Sequence, residues 1–480
     1  MNYRVVFYIL GWILKVEAGL LLLPVLVGVI YQESTGWSFL ITAAICFVLG
    51  CIMSIKKPEN RQVYAKEGYS IVGLTWLLMS AFAALPFTLS GDIPSYVDAF
   101  FEAASGLSTT GSTILAEIAS LSHPVLFWRS FTHWIGGMGV IVFVLALVPI
   151  MGGTTLSLMQ AESPGPVVGK LVPRIRESAA ILYKIYMGIT IVEAVLLRIL
   201  GMDWFTSLTT TFGTVGTGGL AVTNDSLMSF SPAIQNTVTV FMMLCGVNFT
   251  FYYLVLQKKL RSAFKMEEVR IYFGIILTAV AIITINIHEM YSSIWETLRH
   301  AFFQVASIIT TTGFITTDFN QWPELSKMIL VTLMFIGACA GSTGGGIKVS
   351  RIAILIKQIG KEVNMIIHPR SVKKIRMDGV PVAHETVRSI NAFISIYAVI
   401  FFGSVLLISI DNFDFTTNFT AVATTLNNIG PGLSVVGPVG NFSGFSNFSK
   451  IVLSLDMIIG RLEIFPILIL FSARNWRRYN

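Results

Sequence analysis

Long runs of apolar residues constrain the fold of this chain more than any other feature of its sequence. Several runs reach 18 residues, the length that an α-helix needs to cross the ~30 Å hydrocarbon core of a bilayer. A backbone in lipid must satisfy its own hydrogen bonds, so these runs predict transmembrane helices. Ten full-length spans are expected, at residues 5–30, 38–55, 69–90, 124–150, 179–200, 233–257, 270–288, 327–357, 389–410 and 450–472.

The composition agrees with a membrane protein and excludes a soluble one. Only 12% of the 480 residues are charged and 54% are hydrophobic, with a mean hydropathy of +0.73, whereas soluble domains carry about 25% charged residues. The net charge of +7 is attributed to loops that orient the chain in the lipid bilayer, and no nucleic-acid partner is expected. The four cysteines form no CxxC pair, so neither a disulfide framework nor a zinc site is indicated.

The basic residues are divided unevenly between the two sets of loops. Arg4 and the segments 56–67, 160–184, 257–270, 351–388 and 474–478 hold 25 of the 33 lysines and arginines. Basic loops stay in the cytoplasm, so both termini are predicted to be cytoplasmic. With this orientation, thirteen acidic residues lie on the opposite, outer side of the membrane. They either concentrate cations at the outer mouth of a path or are ordinary solvated loop residues. They are Glu33, Asp92, Asp98, Glu102, Glu117, Asp203, Asp225, Glu289, Glu296, Asp318, Glu324, Asp411 and Asp414.

A fourfold internal repeat is the most specific signal in the sequence. Residues 99–111 (AFFEAASGLSTTG) and 301–313 (AFFQVASIITTTG) share the pattern A-F-F-x-x-A-S-x-x-[ST]-T-T-G. Residues 418–430 and 204–216 keep parts of this pattern. The terminal glycines, 105, 97 and 117 residues apart, are Gly111, Gly216, Gly313 and Gly430. Each lies between two long spans, so a unit of span, short semi-apolar helix, glycine turn and span occurs four times in one orientation.

The short helix of each unit is predicted to enter the membrane from outside and to stop before crossing it. The stretches near 98–111, 203–219, 294–313 and 415–430 are too short to span. The C-terminal carbonyls of such helices carry about half a negative charge, which favours a cation at a common centre. Non-helical backbone is tolerated at this depth inside protein or along a polar path. A plain loop or a small-residue helix contact is the alternative for any single copy.

The turns after these helices resemble a potassium filter. Residues 214–218 read TVGTG, one letter from the TVGYG loops of potassium channels. We therefore predict that backbone carbonyls of the four turns bind K⁺. The register of the second copy is open by two or three residues, because Gly218 or Gly219 fits the residues that follow. The candidate filter residues are Thr109, Thr110, Gly111, Thr214, Val215, Gly216, Gly218, Thr311, Thr312, Gly313, Asn428, Ile429 and Gly430.

Glycines at 337–347 interrupt the eighth predicted span. Each interior glycine costs up to ~1 kcal/mol relative to alanine, so the helix should break there and leave a loop that could gate the path. Close helix packing is the alternative. Arg461, in the last span, must face a partner helix or a water-filled cavity such as the one under the filter. The candidate gate residues are Gly341, Ser342, Thr343, Gly344, Gly345, Gly346, Lys348 and Arg461.

No sequence pattern favours an enzyme. The chain has no G-x-S-x-G or H-E-x-x-H motif, and most of its six histidines lie near predicted span ends or in loops. Residues 341–348 resemble a phosphate-binding loop, but Lys348 does not directly follow a glycine as a Walker lysine does. Neither catalysis nor a cofactor is expected, with K⁺ as the transported ion.

Two further stretches extend the resemblance to a known family over essentially the whole chain. They are WRSFTHWIGGMGVIVFVLALVPIMGG at 128–153 and AESPGPVVGKLVPRIRESAAILYKIY at 161–186. With the four repeats, they resemble the TrkH/TrkG/KtrB superfamily of potassium transport subunits, in its TrkH-type branch. The resemblance implies an all-α polytopic membrane protein. Two leading transmembrane helices would precede four parallel helix–pore-loop–helix repeats around one pore, as in K⁺ channels.

The same resemblance implies a function, partners and a division of the chain. The leading domain is expected at 1–66, and the pore repeats at 67–160, 161–265, 266–365 (with a broken second helix) and 366–480. The implied function is potassium uptake across the bacterial inner membrane, and a K⁺/Na⁺ or K⁺/H⁺ symporter of the same architecture is the alternative. A homodimer is implied, with a cytosolic, nucleotide-binding TrkA-type ring that gates the pore and with Arg461 as the family's cavity arginine.

Overall fold

The chain is almost entirely helical where its structure is described. The computed structural model describes residues 1–58, 63–139, 175–371, 373–472 and 476. Within these residues, β-structure is limited to a small hairpin in which Arg376–Met377 pairs antiparallel with Val380–Pro381. The all-helical membrane fold predicted from the sequence is confirmed.

Two leading spans precede the repeats, as predicted. The first consists of Tyr3–Leu20 followed directly by Leu22–Tyr31, and the second is Gly36–Ser54. Their backbones approach closely where two glycines meet, since a Cβ added to Gly11 would lie 2.8 Å from the carbonyl oxygen of Gly50. Small residues allow this close contact between helices in a membrane.

Four helical units follow, and each contains a long first helix, a shorter helix and a second helix, in that order. The first helices are Ala65–Ser90, Ile175–Ile199, Glu267–Ile287 and His384–Ile408. The short helices, which we call re-entrant helices 1 to 4, are Tyr96–Leu107, Trp204–Val215, Ile294–Ile309 and Phe415–Leu426. The second helices begin with His123–Gly137, Pro232–Cys245, Glu324–Ile336 and Asn447–Arg461. Short 3₁₀ turns lie at His288–Met290, Phe319–Gln321, Ser409–Asp411 and Ser434–Val436.

The second helices of units 2, 3 and 4 are all interrupted. In unit 2, Pro232–Cys245 meets Phe249–Leu256 at an angle of 91°, and the short helix Leu260–Lys265 follows. In unit 3, the loop 337–348 separates Glu324–Ile336 from Val349–Ile367. In unit 4, Asn447–Arg461 is followed after three residues by Phe465–Phe471. The break in unit 3 was predicted, whereas the continuous helices predicted at 233–257 and 450–472 are wrong.

These interruptions also change the number of helices that can cross a membrane. Six unbroken helices in the described residues are long and apolar enough to do so, or seven when the bent pair in unit 2 counts as one span. Backbone conformation accounts for the breaks in units 3 and 4, since Gly337, Glu463 and Ile464 all have positive φ, which no α-helix accommodates. The predicted span 124–150 lies partly outside the described residues.

The four re-entrant helices begin in the same way. Each starts after a residue whose side chain accepts a hydrogen bond from a backbone N–H of the first turn, which is the usual N-cap arrangement. The capping residues are Ser95, Asp203, Ser293 and Asp414. The four helices therefore start alike, and the carbonyls at their C-terminal ends are electronegative.

Candidate functional site

All four re-entrant helices end in the same backbone turn. In re-entrant helix 1, the Thr110 N–H donates to the Ser105 carbonyl at 2.9 Å and the Thr109 N–H to the Gly106 carbonyl at 3.1 Å, the pattern of a Schellman motif. The residue that adopts the left-handed conformation has a φ between 55° and 58° in every copy. These residues are Thr109, Thr217, Thr311 and Asn428. The conformation therefore defines equivalent positions, which we call turn 1 (109–111), turn 2 (217–219), turn 3 (311–313) and turn 4 (428–430).

The register of turn 2 differs from the sequence assignment by three residues. Thr214 and Val215 belong to the last turn of re-entrant helix 2, and Gly216 caps it with a helical φ of −71°. The residues that match the other three turns are Thr217, Gly218 and Gly219. Of the four residues assigned to this copy from the sequence, only Gly218 lies within turn 2.

The third residue of each turn is a glycine that packs against the next unit. All four glycines have positive φ, from 73° to 101°, and a Cβ added to any of them would meet the carbonyl oxygen of the middle residue of the following turn. The last contact, from Gly430 to Thr110, would be 3.0 Å long. The four contacts join Gly111 to Gly218, Gly219 to Thr312, Gly313 to Ile429 and Gly430 to Thr110. They close a ring in the order of units 1, 2, 3, 4 and 1, so the four turns surround one axis.

Hydrogen bonds outside this ring follow the same cyclic order. The Asn224 side chain accepts from the Ile118 N–H at 2.6 Å between units 1 and 2, and the Leu227 N–H donates to the Ile315 carbonyl at 3.1 Å between units 2 and 3. The Asn320 side chain accepts from the Ser434 N–H at 3.0 Å between units 3 and 4. The Ser112 hydroxyl donates to the Gly430 carbonyl at 3.1 Å, which closes the circle. These bonds hold the turns at fixed distances from one another.

A vestibule opens on one side of the ring, and all four turn glycines line it. Its described lining residues include no acidic side chain. Asp203 and Asp414 cap re-entrant helices, and the hydrogen bond from the Thr417 hydroxyl lowers the pKa of Asp414. Two of the predicted outer acids therefore cap helices, a role that was not expected from the sequence.

Glu102 is the outer acid whose position differs most from the expectation of a loop residue. It is 1% exposed and forms an ion pair with Arg129, itself 1% exposed, at 2.7 Å. Glu102 also accepts hydrogen bonds from the Thr113 hydroxyl at 3.0 Å and the Ile114 N–H at 3.2 Å. Arg129 in turn donates to the Ala221 carbonyl at 3.4 Å. The pair thus fixes the segments that leave turns 1 and 2.

We predict that Glu102→Ala lowers the thermal unfolding midpoint of the purified protein more than the double variant Glu102→Ala/Arg129→Ala does. The single change leaves a buried charge without its partner, which costs about 3–5 kcal/mol. Glu324→Ala is the control, since its pair with Lys327 has a carboxylate that is 83% exposed and exposed pairs contribute little. Equal midpoints for the single and double variants would contradict the prediction.

The glycine loop 337–348 lies directly against the residues of turns 3 and 4 and the helix ends before them. The Gly345 N–H donates to the Thr311 hydroxyl at 2.6 Å. A Cβ added to Gly345 would lie 2.6 Å from the Asn427 carbonyl oxygen, and one added to Gly344 would lie 2.8 Å from the Thr310 carbonyl oxygen. Because no side chain fits at these contacts, only glycine lets the loop approach the ring this closely.

Two basic side chains hold this loop. Lys348, which is 2% exposed, donates to the Gly344 carbonyl within the loop itself. Arg461 donates to the Thr343 carbonyl at 2.7 Å and, on its other side, to the Gly136 carbonyl and to the Gly137 carbonyl at 2.8 Å. The structure therefore brings the predicted gate residues together, and Arg461 links the loop to the end of the second helix of unit 1.

Two contacts at the site were not predicted from the sequence. Glu463 forms an ion pair with Arg351, a residue more than 100 positions earlier. His133 is fully buried between re-entrant helix 1 and turn 2. The sequence does contain one indication of this position. Arg129 and His133 are four residues apart, so they lie on the same face of their helix.

Comparison with known proteins identifies related chains over nearly the whole length. The family model described as "TrkH: Cation transport protein" matches residues 36–478. The "Trk system potassium uptake protein TrkH" of Escherichia coli K12 is 37% identical and covers 99% of this chain and 100% of its own length. The "Trk system potassium uptake protein TrkG" of the same organism is 32% identical, with 99% of each chain covered. The crystal structure of the potassium transporter TrkH from Vibrio parahaemolyticus superposes with a TM-score of 0.89 at 33% identity, over 99% of this chain and 100% of that one.

Proposed function

Because this chain belongs to the TrkH family of cation transport proteins, we propose that it takes up potassium through the ring formed by turns 1 to 4. The observation that carries this proposal is the cyclic contact of each turn glycine with the carbonyl of the next turn. It places four backbone carbonyls around one axis, where they replace the hydration shell of a K⁺ ion. The C-terminal ends of the four re-entrant helices add negative potential at the same point.

The passage of the ion is gated by the loop 337–348. The loop lies across the inner side of the ring, so an ion that leaves the ring must displace it or pass beside it. Because its glycines have no side chains, the loop can pack closely against the ring in the closed state. The same glycines allow its backbone to change conformation easily. Arg461 stabilises that closed arrangement through carbonyls of two different units. The membrane potential drives entry, at about 2.3 kcal/mol per charge for each 100 mV.

The basic loops face the cytoplasm of the bacterial inner membrane in this proposal, with both termini on that side. The segment 351–388 carries eight lysines and arginines and offers a surface for a cytosolic, nucleotide-binding TrkA-type ring.

The helix Val349–Ile367 exposes Ile356, Ile359, Val363 and Ile366, and this apolar stripe supports a homodimer. No contact among the described residues favours the symporter alternative.

The proposal is tested by rescue of a bacterial strain that lacks its own potassium uptake systems. We expect the chain, co-expressed with a TrkA-type partner, to restore growth at limiting K⁺, while the chain alone gives weaker growth. Uptake should persist in cells without a Na⁺ or H⁺ gradient as long as the membrane potential is maintained. No rescue in either case, despite verified membrane insertion, would contradict potassium uptake, and loss of uptake without an ion gradient would support a symporter.

A further inference from the structure

His133 occupies a position between two units of the ring. It lies on the helix His123–Gly137 and is fully buried. Its Nδ1 atom is 2.8 Å from the carbonyl oxygen of Gly106, in the last turn of re-entrant helix 1. Its Nε2 atom is 3.3 Å from the backbone nitrogen of Leu220, the residue that follows turn 2. The imidazole therefore connects the end of one re-entrant helix with the filter segment of the next unit.

These two partners determine the form of the imidazole. A carbonyl oxygen only accepts, so Nδ1 must carry the proton that it donates to Gly106, and a backbone N–H only donates, so Nε2 must be unprotonated. The neutral ring with its proton on Nδ1 satisfies both contacts at once, and this assignment follows from the partners. A charged side chain would place a donor against the Leu220 N–H.

The imidazole also occupies the space in which a side chain of turn 2 would lie. The middle residue of the other three turns has a side chain, in the form of Thr110, Thr312 and Ile429. In turn 2 this residue is Gly218, and the three atoms nearest to a Cβ added there all belong to the imidazole of His133. The imidazole of His133 therefore packs against turn 2 only because residue 218 has no side chain.

Threonine side chains at this position make hydrogen bonds in turns 1 and 3. The Thr110 hydroxyl is 2.7 Å from the Ser108 hydroxyl and accepts from the Asn428 side chain at 2.9 Å. The Thr312 hydroxyl is 2.8 Å from that of Thr310. Turn 2 has no side chain at 218 to make such bonds, and the hydrogen bond from Leu220 to His133 takes their place.

We propose that His133 is a positioning residue for ion selectivity, which replaces the missing side chain of Gly218 and fixes the Gly218 carbonyl in the ring. The inference rests on the potassium-uptake function proposed above. His133 acts through the backbone of turn 2 and does not contact the ion. Removing it should loosen one of four carbonyl positions, which relaxes the discrimination between K⁺ and Na⁺ more than it reduces total flux.

The experiment is a double-mutant cycle on the full-length chain reconstituted in liposomes, with K⁺ and Na⁺ fluxes measured separately. We expect His133→Ala and Gly218→Thr each to lower the K⁺/Na⁺ flux ratio at least tenfold, the first by leaving a void and the second by collision with the ring of His133. The double variant His133→Ala/Gly218→Thr should recover most of the ratio, because the threonine then fills the space as in turns 1 and 3. His123→Ala, a half-exposed histidine at the start of the same helix, is the control and should behave as wild type.

The outcomes separate this inference from the function on which it rests. If the wild-type chain conducts no K⁺, the proposed function fails. If it conducts and the double variant is no more selective than the worse single variant, or His133→Ala keeps the wild-type ratio, the role of His133 is overturned. Should His133→Ala prove unstable, Gly218→Ala in the otherwise wild-type chain tests the same contact, and an unchanged flux ratio there would also overturn the proposal.

Discussion

Gly313→Ser is expected to abolish most of the discrimination between K⁺ and Na⁺. Gly313 has a φ of 88°, and a Cβ added there would collide with the Ile429 carbonyl oxygen and lie 3.1 Å from Pro431 Cδ. The Ile429 carbonyl belongs to the ring, so any movement that relieves the collision also displaces a proposed ion ligand. We expect the K⁺/Na⁺ flux ratio in liposomes to fall at least about tenfold, since selectivity depends on the placement of the carbonyls.

Gly91→Ser is the matched control for this prediction. Gly91 has a φ of 84°, but no atom lies within 4 Å of a Cβ added there. Both variants therefore place a serine at a positive φ, which costs roughly 1–2 kcal/mol, and only one of them disturbs the ring. A normal flux ratio in Gly313→Ser, with membrane abundance equal to that of the control, would show that turn 3 does not form the filter.

Arg461→Ala is expected to raise the basal K⁺ flux of the chain without its cytosolic partner. The change removes the bonds that link the Thr343 carbonyl to the Gly136 and Gly137 carbonyls. Hydrogen bonds to charged groups contribute about 1.5–3 kcal/mol, and each 1.4 kcal/mol corresponds to a factor of ten. The open arrangement should therefore become roughly 10- to 100-fold more populated.

Arg461→Lys separates the two ways in which this residue could act. Lysine keeps the positive charge near the path. Its ammonium group lacks the planar guanidinium with which Arg461 donates to carbonyls on two sides. A flux close to that of Arg461→Ala would show that the bonds to the loop matter, whereas a wild-type flux would assign the effect to charge. Deletion of Gly344 and Gly345 should raise the flux in the same way. If all of these variants keep the wild-type basal flux, the loop is not the gate.

Much of the fold follows from local sequence patterns. Apolar run length and the repeated A-F-F-x-x-A-S motif predicted the leading spans, the four re-entrant helices and the break at 337–347, because each depends on residues close together in the chain. Turns 1, 3 and 4 lie at the residues that the pattern predicted, and the role of these residues as a filter stays a prediction. The breaks in the second helices of units 2 and 4 were not predicted, since residues 246–248 and 462–464 have no run of glycines.

The sequence by itself determined that this chain crosses a membrane and carries four equivalent turns. Only the tertiary structure decided which residues of the second copy form its turn. The helix before turn 2 continues three residues beyond the expected end. The middle residue of turn 2 is a glycine because His133, from a segment 85 residues earlier, fills the space of a side chain there. Glu102 was likewise predicted to lie on the outer side, and it is buried in an ion pair with Arg129. Such choices depend on side-chain volume and hydrogen-bond partners contributed by other units, which no local pattern contains.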